Sequence, residues 1–266
     1  MAINPTAIVD ARAEVHPEAD IGPYVVIDGP VEIGRGTRVL AHATVMGWTQ
    51  IGCDNVIHAG AVIGDTPQDL AFAGAESYLR IGNGNVFREH TQVHRGTKPG
   101  SATVIGDQNY LMNGAHVAHN CRLGNHIIMA NGAVLGGYVE VEGQVFISAH
   151  CTVHQFVRIG RLALLRGLSR TSRDVPPFCI MDWTHTVRAL NRVGLRRAGF
   201  SAAQIRELQN AFSRLFRRAT NLRQAIAEVE AGPCSAEVRY LLDFIRASKR
   251  GVCRGVRPGE EPEEEE

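Results

Sequence analysis

Leu111 to Gly137 reads LMNGAHVAHNCRLGNHIIMANGAVLGG, and its rhythm decides the fold. Every sixth residue is aliphatic or Met: Leu111, Val117, Leu123, Met129 and Leu135. A helix needs an apolar period near 3.6 and an isolated strand a period of 2, so six fits neither. It fits a parallel β-helix, in which each hexamer is one short strand plus a turn and three hexamers close one triangular coil. Worked outward, the same frame starts at Ile3, runs by sixes to Ile63, returns at Ile81, Phe87 and Val93, and continues from Ile105 to Leu165. Of its 28 positions, 25 are large and apolar; Asp69, Ala75 and Pro99 are the exceptions, and they mark two insertions. Residues 66–78 (TPQDLAFAGAESY) and 97–103 (TKPGSAT) replace repeat positions yet preserve the multiple of six, which predicts loops leaving a coil corner while the coil goes on. Nine coils stacked at strand spacing give a prism about 45 Å long. The expected division is a β-helix over 1–180 with those two loops, an α-helical C-terminal domain over 190–254, and a disordered acidic tail over 255–266 (PGEEPEEEE at its end).

After Leu165 the rhythm fails, and Val175-Pro176-Pro177 acts as a breaker. Ser201 with Gln204 forms a capping-box signature that predicts a helix through Arg218. Residues 221–231 suit a second helix, and Ser235 opens a third through about Lys249, with Val238, Leu241, Leu242 and Ile245 at helical spacing.

Composition narrows the function. A net charge of +1 argues against nucleic acid or an anionic membrane as obligatory partner. The six Cys contain no CxxC pair, which disfavours a disulfide framework or zinc knuckle and points to a reducing compartment. With neither a charged and apolar leader nor an apolar run of about 20 residues, the expected location is cytoplasmic, with no transmembrane segment.

Two histidines inside the repeat, His116 and His119, are not required by it. In stacked coils every third hexamer is a neighbour, so His119, Gly137, Gln155 and His154 share one edge of the prism. A His beside a Gly with an accessible N–H pairs a general base with an oxyanion donor. Most of the 11 His, such as His16, His42, His58 and His126, are expected to be turn residues.

Six stretches then resemble the bacterial acyl-ACP–UDP-N-acetylglucosamine O-acyltransferases, hexapeptide-repeat enzymes of lipid A synthesis: Gln68-Asp69-Leu70, His94-Arg95-Gly96-Thr97, Ala115 to His119, Val153 to Phe156, Asp174 to Pro177, and Gly194 to Arg197 followed by Gly199-Phe200. The resemblance implies a mainly β, left-handed parallel β-helix with a small α-helical C-terminal domain. It also implies transfer of an (R)-3-hydroxyacyl chain from acyl carrier protein to the 3-position of UDP-N-acetylglucosamine, by a homotrimer with sites between subunits and with no metal or bound cofactor. By that resemblance His119 is the base and Gly137 the oxyanion donor. Gln68, Asp69, His116, His154 and Gln155 bind substrate, Asn191 and Arg197 hold the nucleotide end, and Gly167 sets acyl length. This chain departs from the family pattern at Asn120 (an acid there), Ala71 (Lys), Tyr138 (His), Val193 (an acid) and Arg166 (a small residue). Three competing readings follow. They are an acyltransferase for another nucleotide sugar, such as a 3-amino analogue; a degraded paralogue that only binds; and a zinc carbonic anhydrase using His94, His116 and His119, which the separate columns of His116 and His119 disfavour.

Overall fold

A computed structural model describes residues 2–218, 221–232 and 234–255. From Ala2 to Thr171 the chain winds through two- to four-residue strands that stack into three parallel sheets, one per face of a prism. The frame residues point inward: Ile21, Ile27, Ile57, Ile63, Phe87, Leu111, Val117, Met129 and Leu135 are all at most 1% exposed. Burying each such side chain stabilises the coil by roughly 1.5–3 kcal/mol.

Register proves the insertions harmless to the coil. Where no loop intervenes, frame residues three hexamers apart face each other, as Ile21 faces Val39. Across the first loop Ile63 lies opposite Val93, and across the second Ile81 lies opposite Ile105, so each insertion adds whole hexamers and the pairing resumes in frame. Both loops leave the same corner, the one between the second and third sheets, where His119 also sits.

The coil is left-handed. The usual right-handed crossover rule concerns a helix packing back on a sheet; here the connections are tight corners. Many are turned by a residue of positive φ. One corner carries Tyr24, His42, His90, His150 and Leu168 at φ 55–65°. The second carries Asp54, Gln108, His126 and Gln144 at φ 56–61°, and the third Asn120, Tyr138 and Phe156 at φ 60–65°. His42 and His126 are thus turn residues, as expected; His16 accepts the Glu18 N–H within a turn, and His58 faces Glu89. Inside one corner runs a buried ladder that the apolar frame does not reveal. Asn55 receives a bond from Asn85, Asn85 from Asn109, and Asn109 from the Ile127 N–H, which satisfies each buried amide.

The coil does not stop at Leu165. Thr171 sits inward opposite Val153, Val175 bridges Ile159, and Met181 lies opposite Leu165. The frame is hidden because its next position is a threonine, and because the segment holding the two prolines shortens the coil. Leu165 pairs with Met181, where an unbroken count would have brought Trp183. The edge is then closed by an antiparallel return, Cys179–Asp182 against Thr186–Leu190.

The C-terminal part begins with a helix that the periodicity did not reveal, α1 (Arg192–Arg197), capped by Asn191. α2 (Ala202–Phe212) has the expected capping box at Ser201 and Gln204. It ends earlier than Arg218: Ser213–Arg218 continue as a π-helical stretch that keeps Leu215 and Phe216 buried. α3 spans Leu222–Glu230 and α4 spans Ala236–Arg246. α4 locks onto the prism. The Arg158 guanidinium lies 4.2 Å from the Phe244 ring, Arg161 lies 4.6 Å from Tyr240, and the Tyr240 hydroxyl bonds Glu142. Of the expected tail, Gly255 belongs to a short strand with Arg254 beside Thr186 and Val187; residues 256–266 lie outside the described residues.

Candidate active site

His119 projects from its corner with a side chain 11% exposed. Its surroundings fix its chemistry. Nδ1 lies 3.1 Å from Asn120 Oδ1. The Thr97 N–H, which can only donate, lies 2.9 Å from the same Asn120 atom and so identifies it as an oxygen. That oxygen requires the proton of His119 on Nδ1, which leaves the Nε2 lone pair facing outward as the acceptor. Nε2 lies 3.9 Å from Asp69 Oδ2 on the loop. The loop conformation around Asp69 is held by its own backbone: Ala71 N–H reaches Asp69 Oδ1 and Phe72 N–H its carbonyl, both at 2.9 Å.

Gly137 is packed directly under the His119 ring, where a Cβ would lie 2.6 Å from Cε1 and 2.7 Å from Nε2. Its φ is not positive, so the requirement is space and not backbone freedom. Among the described residues its N–H donates to nothing, whereas its carbonyl accepts from Phe156. Tyr138 meets the His119 ring edge-on at 5.3 Å and stacks on Phe156 at 4.9 Å, which gives the base an aromatic wall.

His116, on the strand before His119, lies 3.3 Å from Gln92 Oε1, and its ring is 5.2 Å from that of His94. Burial, and secondarily His94, pushes the His116 pKa down to about 4, so it is neutral at pH 7. Gln155 and Gln68 are exposed. His154 is exposed and touches Arg250, whose Nη2 lies 3.4 Å from Nδ1 while its Nε holds the Ser172 carbonyl. Arg250 comes from beyond α4 and carries no sequence signal. On the third-sheet side, a cleft of about 270 Å³ is walled by Arg80, Ser101, Val104, Asn120, Arg122 and Tyr138.

Asn191 and Arg197 are not brought against this group by any contact among the described residues. Asn191 is buried; its side chain caps α1 through Gly194 N–H and donates to the Leu162 carbonyl. Arg197 is exposed in the last turn of α1. Gly167 is exposed, and a Cβ there would meet only the Ala149 carbonyl at 3.5 Å, so a larger side chain has room. Arg166, beside it, is turned to Asp182 at 2.8 Å. Burial pushes the thiols of Cys121, Cys151, Cys179 and Cys253 up, which leaves no reactive thiolate among them. No three or more His, Cys, Asp or Glu among the described residues are grouped to hold a metal ion.

The chain resembles known proteins along nearly its whole length. Residues 174–253 match the family described as Udp N-acetylglucosamine O-acyltransferase, domain 2, and residues 102–137 match the bacterial transferase hexapeptide repeat. The chain is 43% identical to the acyl-[acyl-carrier-protein]–UDP-N-acetylglucosamine O-acyltransferase of Syntrophobacter fumaroxidans over 96% of its length and 100% of that protein's. The chain belongs to that family.

Another member, from Thermodesulfovibrio yellowstonii, is also 43% identical, over 95% of this chain and 99% of its own. Crystal structures of UDP-N-acetylglucosamine acyltransferases superpose closely. That from Bacteroides fragilis has TM-score 0.90 and 38% identity over 95% of this chain and 100% of its own. That from Acinetobacter baumannii has TM-score 0.91 and 36% identity over 96% of this chain and 100% of its own. The acyltransferase reading and the left-handed β-helix thus stand together over 95–96% of the chain.

Proposed function

We propose that this acyltransferase carries a 3-hydroxyacyl chain from acyl carrier protein to the 3-hydroxyl of UDP-N-acetylglucosamine, the first step of lipid A synthesis. The observation that carries the reading is the His119 corner: a base whose tautomer is set by Asn120, over a glycine whose N–H is unengaged. Nε2 takes the proton as the sugar oxygen attacks the thioester carbonyl. The oxyanion then accepts from the Gly137 N–H. On collapse the C–S bond breaks, and the imidazolium returns its proton to the departing sulfur. Asp69 and Gln68 on the loop, neutral His116, and His154 with Gln155 two coils on hold the sugar. Asn191 supports the nucleotide end by capping α1, and Arg197 serves the nucleotide at the exposed end of that helix. Gly167 leaves room along the acyl path, where Arg166 is drawn aside by Asp182.

A homotrimer is supported by the outer face of the first sheet. Val56, Val86, Tyr110, Ile128, Phe146 and Leu164 lie in register there, all half-buried, as an apolar ridge along the prism. Apolar surface of that extent on one face suits a subunit contact. Six free cysteines fit a reducing cytoplasm, and no described helix is long and apolar enough to cross a membrane. The test is acyl transfer with 3-hydroxyacyl carrier proteins of several lengths, offered UDP-N-acetylglucosamine or its 3-amino analogue, beside His119→Ala. Acylation of the hydroxyl sugar, lost in His119→Ala, sustains the reading. Acylation of the amine alone moves the acceptor, and no transfer to either refutes it.

A further inference from the structure

We propose that the tetrapeptide His94-Arg95-Gly96-Thr97 is a buckle that fixes the loop carrying Gln68 and Asp69 against the catalytic base; this rests on the site reading above. Each of its four residues holds a different part. His94 Nδ1 lies 2.5 Å from the Thr66 carbonyl, at the point where the loop departs. A carbonyl only accepts, so this nitrogen carries the proton. The Arg95 N–H reaches the Asp65 carbonyl at 3.2 Å, and Arg95 Nη1 reaches the Gly64 carbonyl at 3.2 Å. The Arg95 guanidinium also lies against two rings, 5.6 Å from Trp48 on the coil and 5.4 Å from Phe72 in the middle of the loop. The Gly96 N–H donates to the Tyr78 carbonyl at 3.1 Å, where the loop returns. A Cβ on Gly96 would lie 2.5 Å from the Ser101 carbonyl oxygen, so only glycine lets the second loop close here. Thr97 finishes the chain of contacts at Asn120, whose oxygen it shares with His119.

One tetrapeptide thus touches the start, middle and end of the loop and the partner of the base. Stability alone does not account for its composition. Arg95 is 7% exposed and His94 is 5% exposed, and Arg95 feels the charge of Asp65 without an ion pair to it within 4 Å among the described residues. Burying a guanidinium is unfavourable by several kcal/mol before compensation, and desolvation depresses its pKa here. A hydrocarbon side chain would fill the space without that penalty. What it would not do is reach the Gly64 carbonyl and grip Phe72 from beneath. The four are positioning residues: they act through Asp69 and His119 and do not touch substrate.

The readout is the split between the two Michaelis constants. His94→Phe keeps the ring volume and removes the donor to Thr66. Phe72→Leu, on the half-exposed loop, removes one face of the Arg95 stack and leaves the coil untouched. In each, KM for UDP-N-acetylglucosamine should rise, about tenfold and about threefold respectively for a lost buried hydrogen bond and a lost ring contact. KM for the acyl carrier protein thioester should stay within twofold. Arg95→Lys, which keeps a cation against the rings, should lie nearer the wild type than Arg95→Met. In a background with both Gln68→Ala and Asp69→Ala the His94→Phe and Phe72→Leu effects should vanish, because the side chains they position are gone. Effects that multiply in full on that double background, or that fall on both KM values alike, overturn the buckle alone. An Asp69→Ala enzyme with unchanged acceptor KM overturns the buckle and the site reading together.

Discussion

Gly137→Ala should lower kcat about a hundredfold without unfolding the protein. The added Cβ would sit 2.6–2.7 Å from His119 Cε1 and Nε2, where ordinary contact begins at 3.4 Å. The floor beneath the ring is backbone, so the imidazole must swing by about 1 Å. A displacement of that size at a reacting atom costs about 10² in rate, or about 2.7 kcal/mol of transition-state stabilisation. The backbone at 137 lies outside the left-handed region, so alanine accepts it and the thermal midpoint should hold. The assay is steady-state acyl transfer at saturating concentrations of both substrates. A second measurement separates a displaced base from a blocked oxyanion donor. In a His119→Ala background, itself slower by about 10²–10⁴, Gly137→Ala should cost less than about threefold, because the ring it displaces is absent. The steric account is refuted if the single variant keeps half its kcat, or if the hundredfold loss persists without the imidazole.

Asn120→Asp places a carboxylate against Nδ1–H and favours the charged imidazolium. The acid limb of kcat/KM against pH should therefore move to higher pH, with Asp69 and the edge of Tyr138 unchanged around the ring. His116 has a folded pKa of about 4, below its unfolded value, so the unfolded chain binds the proton first. Its contribution to stability is complete above about pH 6.5 and fades toward pH 4; His116→Gln should flatten that part of the thermal midpoint profile. Ile128→Glu, in the middle of the outer ridge proposed as the subunit contact, should lower the mass in solution from that of the proposed trimer to that of one chain while far-UV circular dichroism stays unchanged. Gly167→Met should fold normally and shift the preferred acyl donor to a shorter chain, read from product masses.

The coil was legible because its determinants are local and repeated. One inward apolar residue per hexamer, with turn residues between, specifies strand, face and stacking, and the two insertions announced themselves by keeping the multiple of six. The columns place His119 over Gly137, since in a solenoid sequence spacing is spatial spacing. The frame is not legible after Leu165, where a threonine takes the inward position and a shortened coil breaks the count. Nor is α1, a single short helix with too few turns to show a period.

What the sequence determined by itself is therefore the prism, its corners and the line of residues along each edge. Only the tertiary structure decided what the loops do there. Asp69 meets His119 from an insertion far back in the chain, Arg95 reaches from Trp48 to Phe72, and Arg250 arrives at His154 from beyond the last helix. It also drew Arg166 away to Asp182 and turned Asn191 inward as a cap. Periodicity fixes groups that obey the repeat. A side chain on an insertion, or at the end of another domain, is placed by packing and hydrogen bonds between segments that share no period.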